Sequence, residues 1–210
     1  MLNINLLMPR RAIFYIILTN ILAGLLLAFA YFFSIKFKIP LEAMTADPMS
    51  TFDSHPFTGL ISNVGVLLWC TTASICFWSG FFLMKKQIKK EGLFLISNGV
   101  ITTSLLLDDF FMMHEYIFHT LQLLFYAIYF IGIIWYCYYF IKLIFKTEFI
   151  ILGLAFVFLG GSVFVDVIFP NVGFQYFVED GLKFLGISTW ALYFIRTSFK
   201  MLNKNIAFKN

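Results

Sequence analysis

"LLLDDFFMMHEY", residues 105–116, closes an otherwise apolar run with Asp108, Asp109, His114 and Glu115. The chain has 11 acidic residues and 3 histidines in 210 positions, so this one stretch draws heavily on both. Whether those groups meet water or hydrocarbon decides what the run is. Hydrophobic residues make up 61% of the chain, charged residues only 12%, and mean hydropathy is +0.89. Soluble domains carry about a quarter charged residues, so this chain reads as a membrane protein.

A membrane span needs ~20 apolar residues. Six stretches qualify, at about 12–35, 57–84, 92–113, 120–145, 149–170 and 175–198. The expected fold is all-α: one membrane domain over residues 1–210, a bundle of six transmembrane helices, with no soluble domain. Ala28-Phe29-Ala30 has the form of a leader-cleavage site, but the apolar run continues through Tyr31, Phe32 and Phe33. The first stretch is therefore read as a retained span. Cys70, Cys76 and Cys137 fall inside spans without a C-x-x-C pair, which points to buried thiols rather than a disulfide or thiolate metal site.

Charge orients the bundle. Arg10 and Arg11, the Lys85–Lys90 cluster, Lys142 with Lys146, and the basic residues from Arg196 to Lys209 all fall on one side of six spans. The positive-inside rule makes that side the cytoplasm, with both termini in it, as in a bacterial-type plasma membrane. The net charge of +4 is thereby explained without a nucleic-acid partner. Of the acids only Glu91 and Glu148 lie on the inner side. At ~1.5 Å rise per residue, Asp108 stands roughly 25 Å above Glu91, and Asp166 about 27 Å above Glu148. Glu179 and Lys183 stand roughly 26 Å and 20 Å above Arg196 on the same count. These groups are expected to share one layer of the outer leaflet, where an isolated charge is costly and pairing inside the bundle relieves it.

Helical periodicity refines the layer. Ser97, Ser104, Asp108 and Glu115 lie on one stripe of span three, and Asn98, Thr102, Asp109 and Tyr116 on a second. Small polar residues of this kind often serve only to pack helices in membranes. On span six, Glu179 and Lys183 have the i, i+4 spacing of an ion pair, with Asp180 within reach of the same lysine.

Two partial resemblances attach to these residues. Ser62-Asn63 in span two and Ser104-x-x-x-Asp108 in span three resemble alkaline-ceramidase-type membrane hydrolases, seven-span zinc enzymes that cleave lipid amides. That family carries Ser-Asn on an early span, S-x-x-x-H on the next and H-x-x-x-H on the last. Here Asp108 replaces the histidine and Glu179-x-x-x-Lys183 replaces the final pair, so the zinc ligands do not carry over. Span six alone is similar to the last helix of microbial rhodopsins, where an acid four residues before a lysine neutralises a retinal Schiff base. That resemblance implies Lys183 as a retinal attachment point.

No P-loop, dinucleotide fingerprint, H-E-x-x-H motif or nucleophile elbow is present. What remains is carboxylate and histidine chemistry. Asp108, Glu115, His119 and Asp166 are the candidate ligands of a divalent metal that would activate water. Asp108, Glu179 and Lys183 are the candidate catalytic groups, supported by Asn63, Ser104, Asp109, His114 and Asp180. The expected function is a metal-assisted membrane hydrolase acting on a lipid-type substrate of the bilayer. The alternatives are an accessory subunit of a membrane complex, whose polar cluster locks its helices, a proton- or ion-coupled transporter, and a retinal-type chromophore protein. For the topology, a phosphatase fused at Asn210 is expected to be inactive and a fluorescent protein there bright, both reporting cytoplasm. An active phosphatase would overturn the six-span arrangement.

Overall fold

The computed structural model describes residues 10–41, 55, 57–113, 121–168 and 173–207. Among these residues six α-helices follow in order: α1 Arg10–Phe37, α2 Leu60–Lys85, α3 Lys89–Phe111, α4 Gln122–Ile144, α5 Phe149–Ile168 and α6 Gly173–Ala207. The chain falls into two compact units, Met1–Thr58 with α1 and Gly59–Asn210 with α2 to α6.

Each predicted span coincides with a helix, but among the described residues four of them meet the length and apolarity of a membrane crossing. These are α2, α3, α4 from Leu123, and α5. Helix α1 runs Arg10–Phe37 and includes the apolar stretch Leu27–Phe37. Helix α6 runs on past residue 198 to Ala207, and Glu179, Asp180, Lys183 and Arg196 dilute its apolar character.

The α2–α3 hairpin shows how sequence sets the packing. Helix α2 ends when Gln87 turns left-handed at φ 63°. Gln87 N–H then reaches the Met84 carbonyl, and Ile88 N–H the Leu83 carbonyl, each at 3.0 Å. This Schellman pattern satisfies carbonyls that the helix end would otherwise orphan, and it seats Ile88 against the buried core that holds Leu83. Two turns on, the helices cross where both carry glycine. A Cβ on Gly80 would lie 2.9 Å from the Gly92 carbonyl oxygen, and one on Gly92 3.0 Å from the Gly80 oxygen. Such close backbone approach is how helices gain van der Waals contact where lipid removes the hydrophobic drive. Gly186 plays the same part between α6 and α5, its missing Cβ leaving room for Leu159.

The core fills the other half of the bundle with aromatic rings. Phe94 of α3 stacks on Tyr136 of α4 at 5.4 Å and meets Phe140 edge-on at 5.2 Å. Trp190 of α6 packs edge-on to Trp69 of α2 and to Phe156 of α5. Its indole N–H donates to Thr102 Oγ1 at 3.1 Å, an oxygen that also accepts from Asn98 Nδ2 at 3.2 Å. Thr102 and Asn98 of the second stripe therefore tie α3 to α6 inside the core.

One end of the bundle is stapled by charge. Arg196 of α6 donates two hydrogen bonds of 2.7 Å to Glu148, just before α5, and Lys200 joins at 2.7 Å. The Arg196 guanidinium, with Lys200 beside it, holds the Glu148 carboxyl down at about 2. A depressed carboxyl contributes above its ordinary range, so this contact persists through neutral pH and is lost only as pH falls toward about 2.

The glycine crossing yields a stability test. Gly80→Ala should cost about 1–3 kcal/mol, because its new methyl meets backbone that cannot move aside. Gly153→Ala, in α5 with nothing within 4 Å of the added Cβ, should be neutral or gain up to ~1 kcal/mol from helix propensity. Thermal or chemical unfolding in detergent micelles measures both.

Candidate functional site

Helix α4 is bound to the bundle unevenly, and a cavity results. Its buried side chains, Tyr136, Phe140 and Ile144, all belong to its C-terminal half. The N-terminal half stands off from its neighbours and leaves a cavity of about 760 Å³ among α2, α3, α4, α5 and α6. The walls are mainly apolar: Leu105, Ile133, Phe156 and Leu159 line it, with Trp69 reaching in from α2. Some lining residues of α4 and α5 are also exposed to the surroundings, among them Phe130, Ile134, Phe164 and Val167. The cavity is therefore open sideways between these two helices.

Its polar groups are few and strongly charged. Asp108, Asp109, Asp166, Glu179 and Lys183 all line it. Asp108 is 5% exposed, and its carboxylate takes a hydrogen bond from the Tyr129 hydroxyl of α4. The Ser104 carbonyl is 3.5 Å from the same hydroxyl, outside the usual O–H···O range of ~2.5–3.0 Å. Three residues earlier on α4, Tyr126 donates to Asp166 Oδ2 of α5 at 2.8 Å. The two tyrosines sit at i, i+3 on one face, so the outlying half of α4 is moored to α3 and α5 by two hydroxyl-to-carboxylate bonds.

Asp109, one residue and 100° around α3 from Asp108, instead faces α6 and forms an ion pair with Lys183. The sequence reading gave this lysine to Glu179, its neighbour one turn earlier. The structure places Glu179 on the same cavity wall, and Lys183 also reaches across to Asp109 of α3. An interhelical bridge of this kind locks α6 to α3 at the charged end, much as Arg196 and Glu148 do at the other. The two anchors are about 20 Å apart along α6.

The other sequence candidates are distributed differently. Asn63 lies exposed on the first turn of α2 and does not line the cavity. Ser104 is exposed, its hydroxyl turned back to the Val100 carbonyl at 3.1 Å. Asp180 is exposed and also off the cavity wall. His114, Glu115 and His119 lie outside the described residues. Of the expected metal ligands, only Asp108 and Asp166 are thus described. Among the described residues no three His, Cys, Asp or Glu side chains converge as a cation would require. Tyr126 and Tyr129 escaped the sequence reading altogether. The available signal was their i, i+3 spacing, continued by Ile133 and Cys137 along one face of α4.

A family model described as a domain of unknown function (DUF8692) matches residues 18–197, and the chain belongs to that family. The match contains every residue that lines the cavity. No curated protein and no solved structure matches the chain.

The Asp109–Lys183 bridge can be tested by exchange. Asp109→Lys or Lys183→Glu alone should cost about 1–3 kcal/mol, since each strands a partly buried charge. The double exchange should recover much of that loss in an unfolding titration.

Proposed function

We propose that this DUF8692 protein binds a single lipid-type molecule from the bilayer, with its apolar part in the cavity between α4 and α5. The ligand's polar end then lies against the carboxylates and Lys183. The observation that carries this reading is the cavity itself. Its volume of about 760 Å³ lies within the ~300–1,000 Å³ usual for ligand sites. Mostly apolar walls with a few convergent polar groups are also the usual build of such a site. The sideways opening supports the bilayer as the source, because a lipid would enter between the helices without crossing water. The charge distribution along the chain supports placing the carboxylate end in the outer leaflet and both termini in the cytoplasm.

Hydrolysis of the ligand, the reaction expected from the sequence, would draw further groups from Glu115 and His119. The described residues support the binding step. They supply a hydrocarbon slot, a charged rim and a tethered helix as one wall.

Filling the slot tests the reading. Gly160 lines the cavity, and a Cβ there meets nothing within 4 Å. Gly160→Phe should therefore fold and occupy the space. Gly153 lies two turns away on the same face of α5, equally open but off the cavity wall. Native mass spectrometry of protein purified in mild detergent should show one retained lipid on the wild type and on Gly153→Phe. Gly160→Phe should lose it. Equal retention by both variants would refute the cavity as the binding site.

A further inference from the structure

The end of the bundle away from the carboxylates holds a second concave site. Lys85, Lys86, Lys89 and Lys90 crowd the turn between α2 and α3. The acid beside them, Glu91, is half-buried. Lys89 and Lys90 line a pocket of about 380 Å³ that Leu93 and, from α4, Tyr139 complete. Both lysines are exposed, and neither forms an ion pair among the described residues. Arg196 and Lys200, at the same end of the bundle, are instead taken up by Glu148. The pocket thus joins two ammonium groups, a tyrosine hydroxyl and an apolar side chain.

Each helix carries a track that leads away from this pocket. On α3, Lys89, Leu93 and Val100 lie within about 40° of one another, and all are exposed. On α4, Lys142, Tyr139, Trp135 and Ile131 lie within about 80°, again all exposed. Trp135 stacks on Tyr139 at 5.8 Å. Ammonium, then aromatic, then aliphatic is the order of a leaflet read from its surface inward. The charge distribution along the chain supports this end as the cytoplasmic one, where the leaflet surface is negative.

We infer that this pocket holds the head group of an anionic phospholipid. The phosphate sits between Lys89 and Lys90, and Tyr139 donates to a phosphate or ester oxygen. The acyl chains follow Leu93 and Val100 on one side and Trp135 and Ile131 on the other. Basic pockets between membrane helices are a known build for such head groups. The site shares no lining residue with the large cavity and does not depend on what that cavity binds.

The test titrates full-length protein in a neutral detergent with phosphatidylglycerol or with phosphatidylcholine of the same acyl chains. Native mass spectrometry counts the lipid added over any molecule kept through purification. The wild type should bind phosphatidylglycerol about tenfold more tightly, a modest factor for two ammonium groups at a membrane surface. Lys89→Gln with Lys90→Gln should bind the two lipids alike. Lys85→Gln with Lys86→Gln removes the same charge from the same turn, off the pocket wall, and should keep most of the preference. Gly160→Phe, in the large cavity, should keep all of it. An equal loss in both lysine pairs would reduce the effect to diffuse surface charge and overturn the site. No preference in the wild type would overturn it as well, and a loss in Gly160→Phe would move the lipid to the cavity. Glycerol 3-phosphate has the phosphate without the chains and should not displace the lipid at millimolar concentration. Displacement would replace the lipid assignment with a soluble phosphate.

Discussion

Placing an acidic side chain at the middle of a membrane span costs about 2.5–3.5 kcal/mol, and somewhat less toward its end. Helices α3, α5 and α6 each bring such groups to the same end of the bundle, and much of the architecture follows from relieving that cost. Asp109 meets Lys183, Asp166 meets Tyr126, and Asp108 meets Tyr129. Each of these contacts joins two different helices. Relieving the cost of burial thus also fixes how the helices stand to one another. The polar end of the bundle is held by directional bonds and leaves a space between them.

The opposite half is held differently. Phe94, Tyr136, Phe140, Trp190 and Phe194 pack there with almost no exposed surface. Dispersion and shape, summed over many ring contacts, do the holding. Two buried polar groups in this region are tied in as well: Tyr136 donates to the Phe94 carbonyl at 3.2 Å, and Thr102 Oγ1 accepts from Trp190 and Asn98. Helix α4 takes part in the ring packing but leaves it above Tyr136. The cavity begins where this packing stops, so the same sequence change from interdigitating rings to spaced tyrosines sets its floor.

The height of the charged groups was legible from sequence because the rise per residue of a helix is nearly constant. Counting from Glu91, Glu148 and Arg196 was enough to bring Asp108, Asp166, Glu179 and Lys183 to one level. The helical character of all six apolar stretches was legible for the same reason, since length and hydropathy suffice. Partnership was not legible. Which of Asp108 and Asp109 faces α6 depends on the rotation of α3, and that is set by the Gly80–Gly92 crossing and by Thr102 beneath Trp190. Neither contact has a signature in a single chain. The role of α4 was hidden by plenty: it holds Tyr126, Tyr129, Tyr136, Tyr138 and Tyr139, and the face that Tyr126 and Tyr129 share with Ile133 and Cys137 competes with other tyrosine spacings, among them the exposed Tyr138 and Tyr139. Asn63 and Ser104 show the same dependence on rotation. Their depth matched the layer, while their azimuth put them outside the cavity.

The uneven hold on α4 makes it a lever. Its fulcrum is the packed stretch from Tyr136 to Ile144, and Tyr126 lies about 21 Å out along the arm from Phe140. A tilt of roughly 10° would carry the Tyr126 hydroxyl about 4 Å, well past hydrogen-bonding reach. Small rearrangements of rings at the fulcrum are thus amplified into making or breaking contact at the far tip. Substitutions at Phe94 or Phe140, remote from the carboxylates of the cavity, would be felt at its mouth.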